Sequence, residues 1–290
     1  MISDNSWKKH LRNTYAVRSR SHSHELLRYY YFKYFIKISG WPLLGTHTPS
    51  RFSASSEEIL EVFDQFYSKS LFCFEVSTLR LDDEAYDVIC KSRGSSITTL
   101  RVDRRTTSVI PLSNFEKLWH GMKSRARNEY RKAKKNAFEV HFINLADYYN
   151  EVSCLLSSTQ KRKKFSNSLS KKALKSLAIY SEGRPDQCFT VGVFSNRELI
   201  NIAIFLGFDQ TYYYYQGGTR IAYLSKGAST LSMIEGISRC IDLGGRHFDL
   251  NGTGDPGVRK WKESFGGIEV TDYQITRCSN LMNPILDRIF

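Results

Sequence analysis

Cysteine is scarce, six residues in 290, with no CxxC pair and no grouping with histidine at zinc-ligand spacing. That excludes a disulfide-stapled scaffold and a structural zinc site. The six, at 73, 90, 154, 188, 240 and 278, are scattered and several lie in apolar segments, so buried thiols in a reducing compartment are expected. The seven histidines converge on no ligand pattern either, and no metal is expected. Six prolines and 18 glycines are too few for a low-complexity chain. Long apolar runs are missing too. The most apolar early stretch, RYYYFKYFIKISGWPLL (28–44), is broken by Lys33 and Lys37 and is shorter than the roughly 20 residues a spanning helix needs. The N-terminus is polar and charged, unlike a cleavable signal. A cytoplasmic protein is expected, with peripheral contact on an anionic membrane as the alternative use of the mixed aromatic and Lys residues. In that compartment the sequon Asn251-Gly-Thr carries no weight.

What is abundant is positive charge: 42 Lys plus Arg against 29 acids, a net +13. It is concentrated, with eight cations in residues 1–37, eight in 117–135 and seven in 161–175, and no acid from 157 to 181. One such run is ordinarily a solvated face. Three favour a polyanionic partner, nucleic acid or anionic lipid. An apolar fraction of 41% and 35 Phe plus Tyr residues indicate a globular chain with a sizeable core.

Residues 1–24 read as a basic, Ser/His-rich leader. Helix at 56–69, strand at 71–81, helix at 82–94 and strand at 96–103 then alternate. In 112–142, Phe115, Leu118, Trp119, Met122, Ala126, Tyr130 and Ala133 recur at spacings of three and four. The spacing predicts one helix over 114–136 with a buried stripe, capped by Ser113 or Asn114, beside a flank carrying Lys123, Arg127, Arg131 and Lys134. Like charges at that spacing weaken a bare helix by a few tenths of a kcal/mol per pair, a cost an anion would screen. A helix at 145–160 follows. The basic SSTQKRKKFSNSLSKK (157–172) reads as a surface loop that solvates or clamps phosphates, carrying Lys161, Arg162, Lys163 and Lys164. QCFTVGVF, LINIAIFLGF and TYYYYQGG predict a three-strand antiparallel meander, followed by a helix at 228–243 stopped by Gly244-Gly245.

RHFDLNGTGDPGVRKWKESFGG (246–267) reads as a short strand with Asp249 on the face away from the core and a turn. A helix from Pro256, capped by Asp255, buries Val258, Trp261 and Phe265. Lys262 borders that stripe: it either snorkels or reaches a developing negative charge in a glycine-lined cleft. Asp249 either ties the loop's amides or serves as a base. In the 212–215 Tyr run, alternation buries two rings and exposes two, leaving Tyr213 or Tyr215 as packing or as contacts to an acceptor.

The meander with its following helix, G..HFDLNG and VRKWKESFGG, preceded by RNEYRKAKKN, resembles the Fem-type peptidyltransferases of the GNAT acyltransferase superfamily over roughly residues 110–275. The resemblance implies an α/β (α+β) fold of two GNAT-like halves, each a mixed, mainly antiparallel sheet flanked by helices, set at 25–142 and 143–290. It also implies transfer of an amino acid from aminoacyl-tRNA to an amine, such as a cell-wall peptide precursor. No bound cofactor is expected, and a monomer or weak dimer is. Lys262 matches the family's Lys in F-K-x-x-F-G, with Trp261 in place of the Phe, and would stabilise the reacting carbonyl. Phe265 and Gly266 would shape the acyl channel, and Tyr213, Tyr215, Gly217, Asn251 and Trp261 would line the substrate. Arg127, Arg131 and Lys132 match the basic helix. The chain departs from the family where Asn251 replaces the first Gly of F-D-L-G-G and where Asn136-Ala137 replaces a Gly after the helix. An acyl-CoA-dependent N-acyltransferase on the same fold is the alternative. It wants a Gly-rich pyrophosphate turn before the helix that follows the meander, where SKGAST (225–230) is a weak version. A non-catalytic fold that binds RNA or membrane is the third reading.

Overall fold

The computed structural model describes residues 17–21, 28–32, 37–39, 74–79, 87, 98–163, 171–208, 210–252 and 256–279. The chain divides into two compact units: residues 1–14 with 107–269, and residues 15–106 with 270–290. This is not the expected division at 142, because the basic helical region and the meander share one unit. The chain passes between units inside the long strands β5 (Thr98–Pro111) and β11 (Ile268–Ser279).

In the unit of 15–106 and 270–290, β1 (Val17–Ser21), β2 (Arg28–Phe32) and β3 (Lys37–Ser39) form an antiparallel sheet in that order. The strand expected at 71–81 is β4 (Phe74–Leu79), paired antiparallel with β11 through Ser77↔Ile275. The helices expected at 56–69 and 82–94 lie outside the described residues, apart from helical residue 87.

The unit of 107–269 is built on strands in the order β5-β10-β9-β8-β7-β6. Its meander is as the sequence predicts: β7 (Cys188–Ser195), β8 (Glu198–Phe208) and β9 (Thr211–Thr219) are antiparallel neighbours. The β7–β8 turn is two residues, Asn196 and Arg197, both at positive φ (50° and 67°), the twist a tight hairpin demands. Strand β6 (Glu139–Ile143) closes one side. From β9 the chain crosses through a 3-10 turn (Ile221–Lys226) and helix α5 (Ala228–Asp242) to β10 (His247–Asp249). β10 lies parallel to β9 and antiparallel to β5.

Helix α5 buries Leu231, Met233, Ile234, Ile237 and Cys240 against Phe189, Val191, Ala203, Phe205 and Phe248. Phe189 and Phe205 stack with centroids 5.0 Å apart. Burying each such aromatic contributes about 2–3 kcal/mol. Two further helices, α3 (Tyr149–Lys163) and α4 (Lys171–Glu182), bury Val152, Leu155, Leu156, Leu174 and Leu177. The α3 backbone lies so near β9 that a Cβ at Gly218 would come within 2.8 Å of the Leu155 carbonyl oxygen.

The helix expected over 114–136 is two. Helix α1 (Phe115–Gly121), capped by Asn114 Oδ1 accepting from Lys117 N at 2.8 Å, ends at extended Met122 and Lys123. Helix α2 (Ser124–Lys135) then begins. The break is filled by the turn after α6 (Pro256–Lys262): Lys123 N donates to Ser264 O at 2.9 Å, and Gly266, at φ 81°, packs on the Gly121 carbonyl. Leu118, Met122, Ala126 and Ala133 keep the predicted burial, whereas Phe115 at the helix start is exposed. Of the cysteines described with their surroundings, Cys188 and Cys240 are buried as expected, but Cys154 is exposed.

Candidate active site

Strands β9 and β10 pair only from Thr211↔His247 to Tyr213↔Asp249. Beyond that, β9 continues to Thr219 while the other chain turns away at Asn251 (φ 58°) and Gly252 (φ 71°). The divergence opens a cavity of about 500 Å³, walled by β9 from Tyr214 to Thr219, the end of α3, the first turns of α5, the 251–252 loop and α6. That is an ordinary size for a small-ligand site.

Lys262 is the central group. It does not snorkel; it is 5% exposed, and its Nζ donates to the carbonyl oxygens of Asn251 at 2.8 Å and Gly252 at 2.6 Å. The ammonium also lies 5.5 Å from the centroid of the Tyr214 ring. Burial pushes its pKa down from 10.5 to about 8, with Asp249 opposing the shift. With two of three protons committed to the loop, one N–H direction remains for a ligand.

Asp249 is fully buried, contrary to the expectation that it faces away from the core. The reason is that Thr107 of β5 and the turn at Asn251 close on its carboxylate. Its Oδ1 accepts from Thr107 Oγ1 at 2.5 Å and from Asn251 N at 2.8 Å, and Thr107 Oγ1 accepts from Gly252 N at 3.1 Å. The loop is therefore pinned on both sides, its amides by Asp249 and Thr107, its carbonyls by Lys262. Asp249 does not line the cavity. The geometry is that of the loop tie, and the assignment of Asp249 as base loses its access.

Both departures from the family's glycines retain left-handed backbone: Ala137 at φ 52° and Asn251 at φ 58°. Asparagine tolerates that conformation better than alanine. Asn251 also uses its side chain, Nδ2 donating to Tyr214 O at 3.1 Å.

Of the other expected site residues, Tyr215, Gly217, Asn251 and Trp261 line the cavity. Tyr213 is 2% exposed and lies outside the cavity wall. Phe265 is buried behind Trp261, edge-on at 5.1 Å, and Gly266 forms the turn against Gly121; both support the wall from behind. Trp261 Nε1 donates to Thr230 Oγ1 at 3.0 Å.

The basic residues separate into two groups. Lys161, Arg162 and Lys163 are on the last turn of α3, which runs three residues past the predicted end and replaces the start of the expected loop. Arg162 and Lys163 line the cavity, and Arg162 Nη1 donates to Thr219 O at 3.4 Å. Lys164 lies outside the described residues. Arg127, Arg131 and Lys132 on α2 do not line the cavity. Arg127 donates to Trp119 O at 3.4 Å, and Arg131 sits 5.4 Å from the Trp119 ring centroid while donating to Asn128. Lys132 is exposed.

Sequence reasoning missed four cavity or support residues: Tyr214, Asn201, Ser229 and Thr107. Strand β9 carries a register shift opposite Ile204/Phe205, where Ile204 pairs with Gln216 and Phe205 with Tyr214. The bulge makes Tyr215 the extra residue of β9 in its register with β8 and turns neighbouring side chains, 214 and 215, onto one cavity. The Gly217-Gly218 pair next to it was the available signal. Asn201 is 2% exposed; its Nδ2 is spent on Gly218 O and Thr219 Oγ1, and its Oδ1 has no partner. For Thr107, nothing in the surrounding strand sequence marked it. Among the described residues there is no metal-binding cluster, and no helix is long and apolar enough to cross a membrane.

Residues 120–263 match the family described as Acetyltransferase (GNAT) domain. Solved structures similar in fold include FemX, with TM-score 0.66 and 11% identity over 93% of this chain and 90% of that one. Another is the C-terminal domain of a putative lysylphosphatidylglycerol synthetase from Agrobacterium fabrum, with TM-score 0.63 and 7% identity over 95% and 88%. L-PGS from Bacillus licheniformis gives TM-score 0.60 and 11% identity over 96% and 89%. No curated protein matches the chain. The meander, the diverging parallel pair and the family match over 120–263 agree: the chain has a GNAT fold, with the Fem-type resemblance upheld at that level.

Proposed function

We propose that the protein transfers an aminoacyl group from aminoacyl-tRNA to an amine acceptor, a small peptide or related amine, with the ester carbonyl held at Lys262. The observation that carries this is the buried ammonium of Lys262 on the wall of the β9/β10 cavity, with one N–H direction left for an oxyanion. A fixed donor of this kind in a water-poor site is worth about 10²–10³ in rate for acyl transfer. Arg162 and Lys163 at the cavity border would meet the phosphates of the carrier's acceptor end, and the exposed cations of α2 would extend that contact over the outer surface.

The acyl-CoA reading needs an anion-binding start to α5. Here the first turn already holds a carboxylate: Glu129 Oε2 accepts from Thr230 Oγ1 at 2.5 Å, and Gly227 is packed on the Glu129 carbonyl. A carboxylate at that position competes with a pyrophosphate for the helix's amide dipole. This favours the tRNA-borne donor. Incubation with a pool of charged tRNAs and an amine, scored by which tRNA loses its amino acid, tests the proposal. Selective discharge supports it; a pool that stays fully charged refutes it.

A further inference from the structure

Acyl transfer to an amine requires a proton to leave the nitrogen and one to reach the departing oxygen, and burial of Asp249 leaves the site without the carboxylate first considered for that work. Among the cavity's side chains, Tyr214 has an uncommitted phenol. The hydroxyls of Tyr130, Tyr149, Tyr180 and Tyr212 each donate to a protein oxygen, to Glu235, Lys171 O, Gln187 and Asp186 O. That of Tyr214 enters no hydrogen bond with the protein; its polar contacts are the backbone carbonyl taken by Asn251 and the Lys262 cation at its ring.

The side chain is nevertheless held in place. Its ring meets Phe205 edge-on at 6.3 Å and Trp261 edge-on at 6.0 Å. The hydroxyl lies over Gly217 on the cavity wall, where any Cβ would strike it. The β-bulge at Tyr215 is what rotates Tyr214 onto that wall. A clamped phenol with a free hydroxyl, in the same cavity as the ammonium of Lys262, is equipped to move a proton.

Resting on the aminoacyl-transfer reading above, we infer that Tyr214 carries the proton between the two reacting heteroatoms. As the amine nitrogen bonds to the ester carbon, Lys262 faces the oxyanion. As the C–O bond breaks, the Tyr214 phenol gives its proton to the leaving ribose oxygen and takes back the proton released from nitrogen. The cycle is balanced: one N–H and one C–O bond are lost, one C–N and one O–H bond are formed, and the phenol is regenerated. Desolvation raises the pKa of this phenol above its ordinary value, so it rests as the proton donor that the step needs.

The test is Tyr214→Phe in the full chain, assayed with aminoacyl-tRNA and with an amino acid 4-nitrophenyl ester, whose leaving group departs without a proton. With the tRNA ester kcat should fall about 10²-fold with KM changed less than threefold. With the activated ester it should stay within threefold of the parent. Lys262→Met should lose activity on both donors. Replacement of Tyr214 by 3,5-difluorotyrosine keeps the shape while making the phenol more acidic, and should change kcat on aminoacyl-tRNA while leaving kcat on the activated ester within threefold of the parent, guarding against a packing effect. Unchanged kcat of Tyr214→Phe on aminoacyl-tRNA, or equal losses on both donors, overturns the role of Tyr214 while leaving aminoacyl transfer standing. A parent protein inactive on aminoacyl-tRNA removes both.

Discussion

Replacing Lys262 by Met gives a prediction with a sign that changes with pH. The buried ammonium has its pKa lowered from 10.5 to about 8, desolvation being the dominant cause. At about 1.4 kcal/mol per pKa unit, keeping it charged costs the fold on the order of 3 kcal/mol at pH 7. Below pH 8 both folded and unfolded chains hold the proton and the whole cost is present. Between about 8 and 10.5 the unfolded chain binds more proton than the folded one, so stability rises with pH, and by pH 10 roughly 1 kcal/mol of cost remains. Methionine has no such cost, but it removes two N–H donors from the Asn251 and Gly252 carbonyls, a loss of about 1 kcal/mol each. Lys262→Met should therefore be about 1 kcal/mol more stable than the parent at pH 7 and about 1 kcal/mol less stable at pH 10. Urea unfolding of both proteins at the two pH values, followed by circular dichroism, measures the difference while cancelling the titration of all other groups. A difference that is the same at pH 7 and pH 10 would refute the buried-cation reasoning. In activity, the parent should decline as pH rises past about 8, while Lys262→Met should be at least 10²-fold down throughout.

The remaining predictions rest on neighbouring features. Thr107→Val removes the hydroxyl that joins Asp249 to Gly252 N; leaving a buried carboxylate short of a donor should cost about 2–3 kcal/mol in urea unfolding. Ala137→Gly relieves a left-handed residue and should stabilise by about 0.5–1 kcal/mol. Arg162→Ala, at the cavity border, should weaken tRNA binding for all tRNAs alike and lower the slope of log affinity against log salt by about one. Titration calorimetry with acetyl-CoA should give no saturable binding at micromolar concentration.

Much of the fold was legible because local chemistry and tertiary demand coincide. The three strands of the meander are apolar or aromatic runs separated by short polar turns, and the helix from 228 ends where Gly244 takes positive φ. Pro256 opens α6, where its missing N–H is harmless. The site was legible in composition but not in aim. Lys262 was singled out by its motif, yet its inward direction depends on carbonyls eleven and ten residues away. Alternation in RHFDL puts Asp249 on the open face, and a five-residue pattern cannot reveal that Thr107, 142 residues earlier, closes on its carboxylate. The break at Met122–Lys123 is invisible to periodicity since both halves keep the stripe; it is imposed by the Ser264–Gly266 turn. The bulge at Tyr215 likewise follows from pairing with β8, not from the tyrosines themselves.

The central claim is that a tRNA-borne ester is broken beside Lys262. The direct measurement is discharge of purified aminoacyl-tRNA with simultaneous appearance of the aminoacylated amine, for the parent and for Lys262→Met. The account predicts stoichiometric transfer by the parent and loss of at least 10²-fold in the variant. Transfer from acetyl-CoA with every aminoacyl-tRNA left intact, or full activity in Lys262→Met, would contradict it.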